Sequence, residues 1–413
     1  MTEPSPIAEP LPPGRREPWG SFLRSMFRVG INSFGGPVAQ IGFMHDEAVV
    51  RRGWVTDGQF VQLLNFANVL PGPEALEIAI HLGYLRRGVA GGIVAGLLFI
   101  WPGFVSLTAL GWAYVEFGEV RWLQAFFEGL RPLALGLLAA AVVRLSKRTL
   151  RGAIAVGIAG AACAAKLLWE VPFLAVLGAG AVLGVLLARW RHAVPSGAHG
   201  VLIVAVLVVC AGCAVAFAGM GRSPEDSPVD APAPVEPDVG RLWDVAWLNA
   251  RAALITFGGA YTALPFFREQ VVERYRWMTD AQVLDALALG ETTPGPLICV
   301  GVFISYLAAG LAGAMVGTFC LFLPSFVLVL GLARHVGGIL RLPRAHDALW
   351  GISAATIGLV LALSAEIAPS SIRGWASVAI AAAVFVAVWR FRVSVLLLAL
   401  IIGGASAAWA VLT

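Results

Sequence analysis

Asn65-Phe66-Ala67-Asn68-Val69-Leu70-Pro71-Gly72-Pro73-Glu74 interrupts a long apolar run with two prolines around a glycine. Each proline lacks an N–H and clashes with the turn before it, so one helix ends here and another begins. In a bilayer the backbone groups freed by such a break find no water. A break at that depth is tolerated where it is buried in protein or lines a cavity. The same triplet returns at Pro294-Gly295-Pro296.

The rest of the chain supports a membrane setting. It is 59% hydrophobic and 13% charged, where soluble domains carry about 25% charged residues. Val201–Met220 holds no charge at all. Alternating strand-length patterns are absent, which argues against a barrel. The reading is therefore an all-α polytopic membrane protein. The formal net charge of +4 comes from basic loops and does not describe a nucleic-acid surface. Residues 1–18 are rich in Pro and Glu, lack the apolar core of a signal peptide, and are expected to form a disordered tail. The five cysteines all lie in apolar segments, and the Cys210-x-x-Cys213 pair has no second pair beside it. They read as small apolar helix residues.

Thirteen spans are expected, at about 21–43, 57–86, 88–115, 122–144, 150–168, 170–190, 199–220, 243–267, 280–308, 310–333, 345–367, 373–389 and 393–412. A Pro-rich acidic linker at 221–241 separates residues 19–220 from residues 242–413. The two sides are repeats. Laid over each other without a gap, 34–73 and 257–296 are identical at fourteen of forty positions. The matches include Phe34/Phe257, Gly35/Gly258, Gly36/Gly259, Trp54/Trp277, Thr56/Thr279, Asp57/Asp280, Gln59/Gln282 and both Pro-Gly-Pro triplets. Arg28/Arg251 keeps the same register, and after a single-position slip Tyr84/Tyr306, Gly88/Gly310 and Pro102/Pro324 continue it. Such self-similarity marks a duplication.

Loop charges then suggest inversion. Cytoplasmic loops are enriched in Lys and Arg. Arg86-Arg87 and the Arg144–Arg151 loop are basic, whereas their equivalents are Ala308-Ala309 and a loop with only Glu366 and Arg373. The Glu116/Glu119 loop is acidic, whereas its equivalent holds Arg334, Arg341 and Arg344. Two inverted-topology repeats follow, with the N-terminus cytoplasmic and the C-terminus outside. Arg51-Arg52 dissents: it falls outside if 21–43 crosses the membrane. The first two elements of each half are then re-entrant, or that loop sits in a vestibule.

Inverted repeats with helices broken at matching positions point to a secondary transporter. Helix starts after Pro73 and Pro296 present N–H groups and a positive dipole end to an anion. Pro71, Gly72, Pro73, Pro294, Gly295 and Pro296 are thus candidate substrate contacts, with Gly35, Gly36, Gly258 and Gly259 allowing close backbone approach. Arg28 and Arg251 supply guanidinium forks suited to an oxyanion, and Asn68 and Thr293 flank the breaks. Snorkelling to the interface is the competing account of the two arginines. Glu74, Glu77 and His81 follow the first break at helical spacing, and Glu291 precedes the second. Intramembrane ionisable groups of this kind suit proton coupling, although a structural hydrogen-bonded pair would use the same spacing. Arg131 follows Glu128 at helical spacing, a local pair. Trp54–Gln59 and Trp277–Gln282 read as an interfacial Trp followed by a helix cap.

Phe34-Gly35-Gly36-Pro37, Arg51-Arg52-Gly53-Trp54, Leu70-Pro71-Gly72-Pro73 with Glu77 and His81, Phe257-Gly258-Gly259, Thr293-Pro294-Gly295-Pro296 and Phe322-Leu323-Pro324-Ser325-Phe326 resemble the chromate ion transporter family, in its long two-domain form. Ala260 departs from Pro37 of the first half. The resemblance implies an inner-membrane transporter that exports chromate and confers resistance to it, with sulfate as competitor. It implies no enzyme activity and no cofactor or metal. The bilayer is the expected surrounding, with room for a homodimer. Export driven by the proton motive force is the expected mechanism. Uptake of sulfate or molybdate, and an intramembrane enzyme acting on lipid, are the alternatives.

Overall fold

A computed structural model of the chain describes residues 17–34, 36–190, 238–257, 260–333, 343–372, 374–391 and 393–412. Among them every regular element is helical, as expected. The helices are α1 (Trp19–Ile31), α2 (Gly36–His45), α3 (Asp57–Ala67), α4 (Glu74–Glu116), α5 (Arg121–Thr149), α6 (Ala153–Trp169) and α7 (Phe173–Leu187). Beyond the linker come α8 (Val239–Ile255), α9 (Leu264–Arg268), α10 (Asp280–Thr292), α11 (Val300–Leu332), α12 (Pro343–Ser371), α13 (Trp375–Arg390) and α14 (Val395–Leu412). The span expected at 199–220, the linker residues 221–237, and Cys210 and Cys213 lie outside the described residues.

Among the described residues, six helical stretches are long and apolar enough to cross a membrane: Glu74–Glu116, Arg121–Lys147, Phe173–Trp190, Leu297–Leu332, His346–Ser371 and Val395–Leu412. They carry exposed Leu97, Trp101, Val105, Leu311, Met315, Phe319, Leu400 and Ile401, a surface that suits lipid. α6 and α13 are shorter apolar helices.

Four expected spans are divided. The segment 21–43 becomes α1 and α2 around Asn32–Gly35, and 243–267 becomes α8, a 3-10 turn at Ala260–Ala263 and α9. At about 1.5 Å per residue, the 13 residues of α1 reach about 20 Å, short of the roughly 30 Å hydrocarbon core. The segments 57–86 and 280–308 are cut at Pro-Gly-Pro, as the sequence requires.

A second interruption lies inside α4. Arg87 (φ −142°, ψ 17°) and Gly88 (φ 69°, ψ −158°) leave the helical region. A Cβ on Gly83 would press on the carbonyl of Gly91 and on Ala95. Those residues would be over 10 Å from Gly83 in a straight helix, at about 1.5 Å per residue, so the chain reverses here. α11 repeats the turn at Ala309 (φ −150°, ψ 30°) and Gly310 (φ 60°, ψ −151°), with Gly313 against the Ser305 carbonyl. A positive φ at the turn favours glycine, and the spans expected to part at 86/88 and 308/310 do part there.

Other local geometry also recurs across the repeat. Thr56 and Gln59 form a capping box at the start of α3. Thr279 N–H donates to Gln282 Oε1 (2.9 Å) and Gln282 N–H to Thr279 Oγ1 (3.3 Å) at the start of α10. The cap reading of both stretches holds. π-helical runs occupy Asp46–Arg51 and Glu269–Arg274, again at matching repeat positions.

The residues group into two compact units, each drawing on both halves of the sequence. The first takes its described residues from Met1–Val115, Pro234–Ala263 and Leu289–Leu342. Its core sets α8 along α11. At one end Glu17 accepts from Arg52 Nη1 (2.9 Å) and Trp54 Nε1 (3.0 Å), while Arg86 lies over the Trp54 ring and Arg87 over Trp19. Arg51-Arg52 and Arg86-Arg87 therefore share one end of this unit.

The second unit takes its described residues from Glu116–Ala233, Leu264–Ala288 and Pro343–Thr413. There α12 packs on α5, α6 and α7, and α5 also carries α13 and α14. The helix backbones approach closely where Gly351 meets Gly180 and Gly184, the small-residue contact common between membrane helices. Arg131 has a partner that its own helix does not supply. It bonds Asp285 in a bidentate pair, with Nε–Oδ1 at 3.0 Å and Nη2–Oδ2 at 3.2 Å. Asp285 is fully buried, so a planar fork is needed to match its charge. Lys166 pairs with Glu269 (2.9 Å), and Arg268 with Asp280 (2.8 Å) and Glu366 (2.8 Å).

Candidate functional site

The two helix breaks meet inside the first unit. α3 ends with Asn68 Nδ2 bonded back to the Leu64 carbonyl (2.7 Å). α4 starts with the Leu76 and Glu77 amides on the Pro73 carbonyl (2.9 and 3.1 Å). At the second break the Thr292 and Thr293 hydroxyls bond back to Leu289 and Gly290 (3.0 and 3.3 Å). A 3-10 turn, Leu297–Cys299, then leads into α11.

Gly72 N–H donates to the Thr256 carbonyl (2.8 Å), and Gly295 N–H donates to the Ser33 carbonyl (3.0 Å). Ser33 and Thr256 stand at the ends of α1 and α8, just before Phe-Gly-Gly, and are themselves repeat equivalents. Each hydroxyl bonds back one turn: Ser33 Oγ to Val29 (2.5 Å) and Thr256 Oγ1 to Ala252 (2.6 Å). Donor and acceptor thus exchange roles between the repeats. The backbone groups that the breaks release are consumed by each other, which answers where such groups go when buried. The break glycine amides are accordingly occupied.

The side chains around this clasp are not symmetric. On the first break Glu77 and His81 are each 1% exposed. No hydrogen bond of good geometry reaches either Glu77 oxygen, and neither His81 ring nitrogen has a hydrogen-bond partner among the described residues. His81 stands edge-on to Phe66 and Tyr84. Glu77 and Ser325 both face Gly72, where an added Cβ would collide with each. Glu74 is buried in the same helical turn. On the second break the buried Glu291 accepts a hydrogen bond from the Tyr261 hydroxyl. Gly36 (φ 80°) comes close: a Cβ there would lie 3.9 Å from both Glu291 Oε2 and the Tyr261 hydroxyl. Gln40 Nε2 holds the Gly295 carbonyl at 2.6 Å. Its repeat equivalent is Ala263, which has no amide to offer Gly72.

The structure therefore brings together Gly36, Gly72, Gly295, Glu77 and Glu291, with Pro71, Pro73, Glu74, His81, Thr293, Pro294 and Pro296 in or beside the two breaks. Gly35, Gly258 and Gly259 lie outside the described residues. Arg28 lies on the exposed face of α1, opposite Phe22, Met26 and Val29. Arg251 is half-buried over the Trp247 ring, one turn back on α8. Sequence reasoning missed Ser33, Thr256, Gln40, Tyr261 and Ser325. The first two carried a signal, a hydroxyl side chain at the same repeat position immediately before the matched block. Among the described residues no cluster of three or more metal-ligating side chains occurs.

Comparison with known proteins agrees with these motifs. The family model described as chromate transporter matches residues 20–185 and again residues 243–409. The chain is 33% identical over 402 residues to the chromate transport protein of Pseudomonas aeruginosa, covering 96% of this chain and 93% of that one. It is 31% identical over 349 residues to the chromate transport protein of Cupriavidus metallidurans, covering 84% and 81%. A probable chromate transport protein of Synechococcus elongatus is 28% identical over 349 residues, covering 81% and 80%. No solved structure matches. The same motif set recurs on both sides of the linker, and the family model covers both sides, so the chain belongs to the chromate transporter family.

Proposed function

We propose that this chain is a secondary transporter that exports chromate across the inner membrane, coupled to protons, and so confers chromate resistance. The substrate class rests on the relatives named as chromate transport proteins. The site rests on one observation: the reciprocal clasp from Gly72 to Thr256 and from Gly295 to Ser33. Reciprocal contacts between repeats are what a two-fold axis requires. The exchange of basic loops between the halves supports an axis in the membrane plane, hence inverted repeats.

The asymmetry around the clasp divides the labour. The first turn of α4 carries Glu74 and Glu77, so its positive dipole end faces carboxylates of the chain itself. The turn after Pro296 carries Leu297, Ile298 and Cys299 and no acid, while Glu291, before the break, is engaged by the Tyr261 hydroxyl. The second break is then the oxyanion end, with Thr293 beside it. Glu77 and His81 are the proton end. Glu77 is the buried carboxyl, and His81 the buried imidazole, offered to the proton there. A negative-inside potential also favours expelling a dianion, by about 2.3 kcal/mol per charge per 100 mV.

Chromate counterflow and pH-driven flux in proteoliposomes test this. Glu77→Gln keeps the shape and loses the titrating group. Counterflow should persist while accumulation against a gradient is lost. Wild-type proton-driven flux in this variant would remove Glu77 from coupling. Flux into sealed vesicles of known orientation separates export from oxyanion uptake.

A further inference from the structure

We infer that Ser325 of α11 is the positioning residue for Glu77, holding its carboxyl from across Gly72 while it gains and loses the coupled proton. The inference rests on the proposed role of Glu77 and names the partner through which that role is exerted.

Ser325 is fully buried, and its hydroxyl has no hydrogen-bond partner of good geometry among the described residues. Its own helix handles other hydroxyls differently. Ser305 and Thr318 of α11 donate to carbonyls one turn back, Gly301 and Ala314, each at 2.6 Å, the local way to satisfy a hydroxyl inside a helix. Ser325 instead faces the first break. A Cβ on Gly72 would collide with Ser325 Oγ and with Glu77 Oε1 at once, so the two oxygens flank one glycine. Buried polar groups are paired as a rule, and here two without good partners stand side by side. A hydroxyl donates to an ionised carboxyl and accepts from a protonated one, so it matches Glu77 in both states without adding charge. Hydrogen bonds of this working kind are often long or poorly aligned until the substrate complex forms.

The surrounding elements leave this task to the hydroxyl. α11 carries no Asp, Glu, Lys, Arg or His from Val300 to Leu332. On α4, Glu74 and His81 are buried one turn to either side of Glu77. Glu74 is the acid whose charge reaches it, and His81 stands against Phe66 of α3 and Tyr84. On α8, packed along α11, Arg251 lies over the Trp247 ring.

The repeat supplies the comparison. The register that pairs Pro102 with Pro324 pairs Gly103 with Ser325. Gly103 backs the second break as Ser325 backs the first: a Cβ there would press on the Pro294 carbonyl at 2.8 Å and on Cys299 Sγ at 3.0 Å. Each position thus faces the break of the other repeat. One break has a carboxyl and a hydroxyl at this contact, and the other has neither. The two polar residues come and go together, as members of one device do.

The test compares Ser325→Ala with Glu77→Gln in proteoliposomes of the full chain. Chromate accumulation under an imposed pH gradient is divided by chromate counterflow at equal pH. In Ser325→Ala this ratio should fall about tenfold, the low end for losing one hydrogen bond to a charged group, while counterflow and the unfolding midpoint in detergent stay near wild type. An unchanged ratio would overturn the inference. So would a parallel fall of accumulation, counterflow and unfolding midpoint, which is what a packing role predicts. If Ser325→Ala does not fold, Ser325→Cys decides, because it fills the site with a weaker donor and should lower the ratio as well. A wild-type ratio in Glu77→Gln would remove the coupling role of Glu77 and this inference with it. Loss in Glu77→Gln with a wild-type ratio in Ser325→Ala would remove the inference alone.

Discussion

Replacing Gly72 by alanine probes the clasp at its tightest point. Gly72 has φ 144°, a conformation that costs a residue with a side chain about 1–3 kcal/mol. The new methyl would also overlap Glu77 Oε1 and Ser325 Oγ. Both are side-chain ends, so they can turn away, at about 0.5–1.5 kcal/mol for each rotamer disturbed. The sum is about 2–6 kcal/mol, concentrated on the state in which the breaks are clasped. A shift of about 3 kcal/mol in a two-state equilibrium is more than a hundredfold, at about 1.4 kcal/mol per factor of ten. Chromate counterflow should fall by about that order, and the thermal unfolding midpoint in detergent should drop. Gly42→Ala is the control. It lies in α2, an added Cβ meets nothing within 4 Å, and alanine suits a helix better by about 0.5–1 kcal/mol. Wild-type counterflow and unfolding in Gly72→Ala would refute the view that this geometry matters.

Three other measurements bear on the structure. Arg131→Ala should destabilise by about 3–5 kcal/mol because it strands the buried Asp285, and the double variant with Asp285→Ala should regain part of the loss; additive losses would refute the pairing. Gln40→Ala leaves the Gly295 carbonyl short of a partner, at about 1–3 kcal/mol, and should slow counterflow more than Gly42→Ala does. Topology reporters fused after Arg151 and after Ile372 should face opposite sides of the membrane, and reporters on one side would refute the inverted arrangement.

Several features were legible because they depend on neighbours in the chain. Proline removes a donor wherever it stands, so both Pro-Gly-Pro breaks appear where the residues put them. The Thr-x-x-Gln caps are local in the same way, and so are the turns at Gly88 and Gly310. Apolar composition sufficed for an all-helical membrane protein. The count of thirteen spans had no such local basis. A hydropathy window registers that 21–43 is apolar, and is blind to whether the helix begun there continues across the bilayer or stops at Asn32.

The duplication, the family motifs and the positions of the breaks are written in the order of the residues, because identity at a constant offset and the covalent chemistry of proline and glycine need no partner. What each freed group meets depends on the folded chain. Gly72 finds Thr256 and Gly295 finds Ser33 from opposite sides of the linker, and Arg131 finds the distant Asp285. A buried polar group is satisfied by whatever the fold carries to within about 3 Å. At Pro71-Gly72-Pro73 the consequence is direct. The break amide is bound by the other repeat, and the side chains beside it, Glu77 and His81, are ones that the second half does not share.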